Sequence, residues 1–143
     1  MRIGQFVNLA VAPFCATAAL LASGSLLAGD ARHEAKVGSL MQRAFPDLPG
    51  KEGLVLMVEY PPGNVDPPHR HDAHAFVYVV AGSIEMQLAG GVPVVLKAGD
   101  TFYEGPQDVH IIGRNLSKTK PAKLVVFLVK NQNTPPVLPP TRN

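Results

Sequence analysis

The chain has 143 residues, room for one domain with a single core and too few for two. A net charge of +2, with both signs spread along the sequence, excludes the dense basic surface that nucleic acid or an anionic membrane would require. Cys15 is the only cysteine, so a disulfide framework and a thiolate zinc site are excluded as well.

The first element is apolar. After Arg2 the chain runs from Ile3 to Gly29 with no charged residue or histidine, and small residues close the run. This is the pattern of a secretory signal peptide, expected over residues 1–28, with cleavage after Gly24 or after Ala28. A retained membrane anchor competes, because the run is long enough to span a bilayer, although Asn8 and Pro13 interrupt it. A buried N-terminal helix of the domain is the third reading. Cleavage would remove Cys15 and leave no cysteine nucleophile in a periplasmic or secreted protein.

Residues 29–52 read as a short helical or irregular lead-in, HEAKVGSLMQRAF, that ends at Pro46 and Pro49; His33 within it is expected to be functionally silent. From 53 to 131 the pattern changes to strands. GLVLMVEY, AFVYVVAG, SIEMQLAG, PVVLKAGD, TFYE, VHII and AKLVVFLVK are rich in β-formers and are separated by Gly-, Pro- or Asn-containing turns. Short strands at that spacing predict an all-β fold, a small antiparallel sandwich or barrel. Val77 with Val79, and Leu124 with Val126 and Leu128, form stripes expected in the core or on a pocket wall. Residues 132–143 hold four prolines and predict an extended arm outside the sheet core. Asn115-Leu116-Ser117 fits the N-glycosylation pattern, which is short enough to arise by chance.

The chemistry lies in the histidines. His69 and His71 are one residue apart, so an extended backbone projects both imidazoles from the same side. Pro67 and Pro68 restrict how that segment approaches. His110, at the end of GDTFYEGPQDVH, supplies a third imidazole from a later strand. Three such rings form a facial nitrogen set for a divalent transition metal. The structural alternative is a pair of surface imidazoles beside Arg70 and Asp72.

The spacing Gly63-x5-His69-x-His71-x3-Ala75-x6-Gly82 resembles the first motif of the cupin superfamily, in which a glutamate stands where this chain has Ala75. Gly99 to His110 resembles the second motif in its Gly-to-His spacing. Gly105 stands at that motif's proline, Gln107 replaces its glycine, and Asn115 comes one position late. The resemblance covers roughly 54–130 and implies a single-domain double-stranded β-helix, the cupin barrel, with a metal inside. It implies iron, manganese, nickel or zinc held by His69, His71 and His110.

The carboxylate ligand does not carry over at Ala75, and three readings follow. The first is a three-histidine centre, as in cupin-type thiol and diketone-cleaving dioxygenases. The second is a substitute ligand: His74, if a distortion turned it inward, or Glu104 or Glu85. The third is a degenerate site that binds metal weakly or not at all. A glutamate restored at position 75 is expected to tighten metal binding if the pocket has room. Tyr78 and Tyr103 are candidate pocket residues, with plain packing as the alternative; no general base stands out.

The function these features imply is an exported metal-binding cupin, a mononuclear dioxygenase-like oxidoreductase acting on a small organic molecule. The alternatives are a metal-dependent isomerase or lyase, and a non-catalytic sensor or storage module. The expected partner is a small-molecule ligand; nucleic acid is not expected, nor is membrane beyond an N-terminal anchor. A homodimer is compatible with the strand-rich edges and the arm.

Overall fold

A computed structural model describes residues 34–141; the apolar leader, Cys15 and His33 lie outside the described residues. Nine strands account for all the regular structure there: β1 (Lys36–Ala44), β2 (Lys51–Tyr60), β3 (His69–Arg70), β4 (Ala73–Ala81), β5 (Ser83–Leu88), β6 (Val94–Lys97), β7 (Thr101–Glu104), β8 (Val109–Arg114) and β9 (Ala122–Asn131). They form two antiparallel sheets, one in the order β1-β2-β9-β4-β7 and the other β3-β8-β5-β6. The all-β expectation holds.

Alternation decides which side chains meet between the sheets. Leu54, Leu56, Val58 and Tyr60 of β2, Ala75, Val77 and Val79 of β4, and Leu124, Val126 and Leu128 of β9 all point inward. Ile84, Met86 and Leu96 of the smaller sheet face them and close the core. The two stripes read from the sequence are therefore interior walls.

Gly82 makes the passage between the sheets possible. It lies between β4 and β5 with φ +75°, and a Cβ there would sit 2.6 Å from the Pro121 carbonyl oxygen. Only glycine combines a left-handed backbone with so close an approach.

The lead-in is a strand and not a helix. Val37, Leu40, Met41 and Ala44 fall at helical spacing. Their segment nevertheless pairs along β2 from Lys36↔Glu59 to Ala44↔Glu52, with an irregularity between Ser39 and Met41. Every residue of β1 is exposed, so the free backbone edge of β2 holds it, not burial of an apolar face.

Two polar groups brace the ends of the fold. Lys130 and Glu52, both inward-facing and buried, form an ion pair, and Lys130 Nζ also donates to the Thr134 carbonyl at 2.6 Å. Asn115 is buried, and its Nδ2 donates to the carbonyls of Tyr60, Pro61 and Lys120 at 3.1, 3.2 and 2.8 Å. The amide that a glycan would occupy is thus committed to the fold, and the Asn-Leu-Ser match is coincidental.

Candidate metal centre

His69 and His110 are directly opposite one another on the β3–β8 ladder, so their side chains share a face. Their rings lie 4.9 Å apart, and those of His69 and His71 lie 5.0 Å apart, edge to face in both cases. The three histidines singled out in the sequence are thus gathered at one end of the interior.

The fourth member is Glu104, the last residue of β7. Its Oε2 is 3.6 Å from Nε2 of His71 and 3.7 Å from Nδ1 of His110. His69, His71 and Glu104 each bring a donor atom to within 4.8 Å of the other two, and His110 abuts that set through Glu104. The β4–β7 register explains the placement, because Glu104 pairs with Ala75, the residue at the glutamate position of the first motif. Cross-strand partners project from the same face. The carboxyl enters the same space from the neighbouring strand, and the Ala75 methyl leaves room for it.

Two histidines are aimed by backbone carbonyls. His69 Nδ1 lies 3.0 Å from the Pro67 oxygen and His71 Nδ1 lies 2.5 Å from the Pro136 oxygen. A carbonyl only accepts, so each Nδ1 carries the proton and each Nε2 keeps its lone pair. Burial pushes the His71 pKa down, and it pushes His110 down to about 4 with help from neighbouring His69. Burial and nearby Asp108 raise the Glu104 carboxyl to about 7. His71 and His110 are therefore neutral donors at physiological pH, and Glu104 is poised to lose its proton to a cation.

Metal fit is tested by His110. It is 2 % exposed, and neither ring nitrogen meets a partner at good hydrogen-bond geometry, the Ile112 backbone being near enough only to act on its pKa. A buried imidazole with both nitrogens unpaired is costly unless something absent from the protein itself satisfies it. A divalent cation among three imidazoles and a carboxylate would satisfy one of the two, Nδ1 being the nitrogen that faces Glu104, and this donor set suits the transition metals.

Other expected residues fall elsewhere. His74 points to the outer face, since its neighbours Ala73 and Ala75 point in, and its Nδ1 is 2.7 Å from the Tyr103 hydroxyl. It is therefore not the substitute ligand: the regular pleat of β4 shows no distortion that would turn it. Tyr78 and Tyr103 are likewise exposed on that outer face and do not line the interior cavity. Glu85 is ion-paired with Arg114.

The C-terminal arm was invisible as a site element in the sequence. Pro136 orients His71, Leu138 forms a two-way backbone bridge with Arg70 at 3.1 and 2.9 Å, and Val137 lines the cavity. Turns and bends run through the arm, with one bridge residue at Leu138, and its contact with the centre does not follow from composition. The cavity occupies about 250 Å³ and runs from the histidines and Glu104 between walls of Val77, Met86, Leu124 and Val126. Tyr60 and Asp66 also line it, with the Tyr60 hydroxyl donating to Asp66 Oδ2 at 2.5 Å.

Gly113 sets the position of the His110 ring. A Cβ at Gly113 would lie 3.0 Å from His110 Cε1 and 3.4 Å from Nε2. Gly113→Ala is expected to displace the ring by a few tenths of an ångström and weaken metal binding about tenfold while the barrel still folds. Chelator competition and the circular dichroism spectrum check both halves; wild-type affinity in a folded variant would show that the ring position is immaterial.

Two facing antiparallel sheets, with a His-x-His pair, a later-strand histidine and a carboxylate at one end of their interior, define a double-stranded β-helix protein with a metal-type donor set. The cupin domain profile matches residues 56–128, and the chain belongs to that family. Among solved structures, a conserved protein with a double-stranded β-helix domain from Klebsiella pneumoniae subsp. pneumoniae MGH 78578 superposes with a TM-score of 0.59 at 20% identity. That match covers 73% of this chain and 84% of the other. The DMSP lyase DddQ from Ruegeria pomeroyi DSS-3 gives 0.64 at 25% identity, covering 84% of this chain and 59% of the lyase. Oxalate oxidase in complex with the substrate analogue glycolate gives 0.58 at 24% identity, covering 76% and 56%. The chain thus spans less than two thirds of the lyase and oxidase chains. Among curated proteins there is no match.

Proposed function

We propose that this chain is a metal-dependent cupin enzyme in which His69, His71, His110 and Glu104 hold a divalent iron, manganese, nickel or zinc ion. In this reading it oxidises a small organic molecule. The observation that carries it is the convergence of Glu104 with the buried rings of His71 and His110, at 3.6 and 3.7 Å, beside two imidazoles oriented by backbone carbonyls. Of the readings open in the sequence, this is the one in which Glu104 substitutes for the motif glutamate.

When bound, the metal supplies a Lewis acid or a redox centre for the substrate. The chain's own residues do the rest. The Pro67 and Pro136 carbonyls hold His69 and His71 in the tautomer that presents Nε2. Val77, Leu124 and Val126 keep the reacting end of the substrate away from bulk water. Lyase chemistry is the second reading, supported by the 25% identity with the DMSP lyase over most of this chain. Export to the periplasm or beyond belongs to the same proposal and rests on the sequence pattern of residues 1–28.

Metal analysis after anaerobic purification is the direct test. Stoichiometric metal in the wild type and its loss in His110→Ala are expected; a wild type that binds no divalent ion sinks the proposal. Oxygen uptake during turnover separates oxidation from elimination.

The same site has a pH signature. With Glu104 held at about 7, a proton must leave before the carboxylate can ligate, so acid competes with metal. Zinc affinity should be level above pH 7 and fall on going down to pH 5, approaching about tenfold per unit. His110, near 4, adds no competition over that range. A competing chromophoric chelator reads this out; a flat profile would remove Glu104 from the ligand set.

A further inference from the structure

The cavity attached to the donor set has an uneven chemistry. Its inner end carries the three histidines and Glu104, and the walls leading away are aliphatic, from Leu56 and Val58 on one side to Leu124 and Leu128. Among the described residues no lysine or arginine lines it. The charged side chains that do line it, Asp66 and Glu104, are acids. The nearest basic residue in sequence, Arg70, is turned to Asp72 at 2.5 Å.

Charge balance then selects the ligand, given the metal centre proposed above. Three neutral imidazoles and one carboxylate leave a divalent ion with a single net positive charge, Asp66 being engaged by the Tyr60 hydroxyl and outside the donor set. One anionic head group neutralises it. A second carboxylate too far from the first to chelate the ion would extend along the aliphatic section with no cation to meet it, and an unpaired charge in such surroundings is strongly disfavoured. The volume, about 250 Å³, is at the small end for ligand pockets and admits a compact molecule.

We propose that the substrate class is small organic acids with one anionic head and an apolar body, and that the cavity rejects dicarboxylates whose second carboxylate cannot reach the ion. This assignment rests on the metal reading and goes beyond it, because a metal centre alone would accept either kind of acid.

Hexanoate and adipate form a matched pair of probes, equal in carbon number and differing in the second carboxylate. Cobalt-loaded protein is titrated with each, and binding is followed by the visible cobalt spectrum and by calorimetry. Hexanoate is expected to bind tighter by roughly tenfold or more. Val37→Arg places a cation at the cavity rim, on a residue 60% exposed, where folding is not at stake. It should raise adipate affinity several-fold, and by a larger factor than it changes hexanoate affinity. Adipate binding as tightly as hexanoate to wild-type protein that holds cobalt overturns the substrate class alone, and an unresponsive adipate affinity in Val37→Arg counts against it too. Failure to take up cobalt overturns the metal reading and this assignment together.

Discussion

In Glu104→Ala, metal affinity is expected to fall by at least about a hundredfold, and adding Ala75→Glu to that variant should restore most of it. The first half follows from ligand loss. Removing a partner that merely orients a ligand costs about 10- to 100-fold, and removing a ligand should exceed that. The second half follows from register. Positions 75 and 104 are opposed on β4 and β7, so a carboxyl at either one can enter the same space. Ala75→Glu alone should behave differently. Position 75 is fully buried, and the added side chain would crowd Glu104 with a second carboxyl. Destabilisation of about 1–3 kcal/mol is expected from overpacking, with no tightening of metal binding. The expectation that a restored glutamate would tighten the site thus applies only once position 104 is vacated. Chelator competition and denaturant melts on the two single variants and the double variant give the complete cycle. A double variant no better than Glu104→Ala would refute the idea that the two positions are interchangeable.

The second large effect concerns the arm. A chain ended after Asn133 lacks the Pro136 carbonyl that orients His71, the Val137 side chain at the cavity, and the Leu138 bridge to Arg70. Metal affinity should drop by about 10- to 100-fold, because the freed His71 ring can rotate and exchange tautomers. The barrel should survive. Its core lies between β2, β4, β9 and the smaller sheet, and Lys130 keeps its pairing with Glu52 after Thr134 is gone. Unchanged metal affinity in the shortened chain would demote the arm to a surface strap. Loss of the fold itself would contradict the placement of the core.

How much of this was legible beforehand can be seen residue by residue. Alternation within β4 already placed Val77 and Val79 inside and His74 outside, and that reading holds because the pleat has period two wherever a strand is regular. The same rule put Tyr103 on the face opposite Glu104, yet nothing in the chain's order said which of those faces looked inward. β1 shows the limit from another side: its apolar residues have helical spacing, and an open ladder on β2 overrode it.

By itself the order of residues determined the strand content, the His-x-His pair with its later partner, and the interior stripes. The strand content, the His-x-His pair and the stripes depend on neighbours within a few positions, where backbone geometry leaves few choices. His110 was reached through the spacing of a second motif, and the β3–β8 register is what sets it opposite His69. Tertiary structure decided the carboxylate and the arm. Glu104 reaches the position left open by Ala75 only through a cross-strand register spanning 29 residues, and Pro136 reaches His71 across 65. Contacts of that separation depend on how whole strands pair and where the chain's end settles, and local propensity carries no record of either.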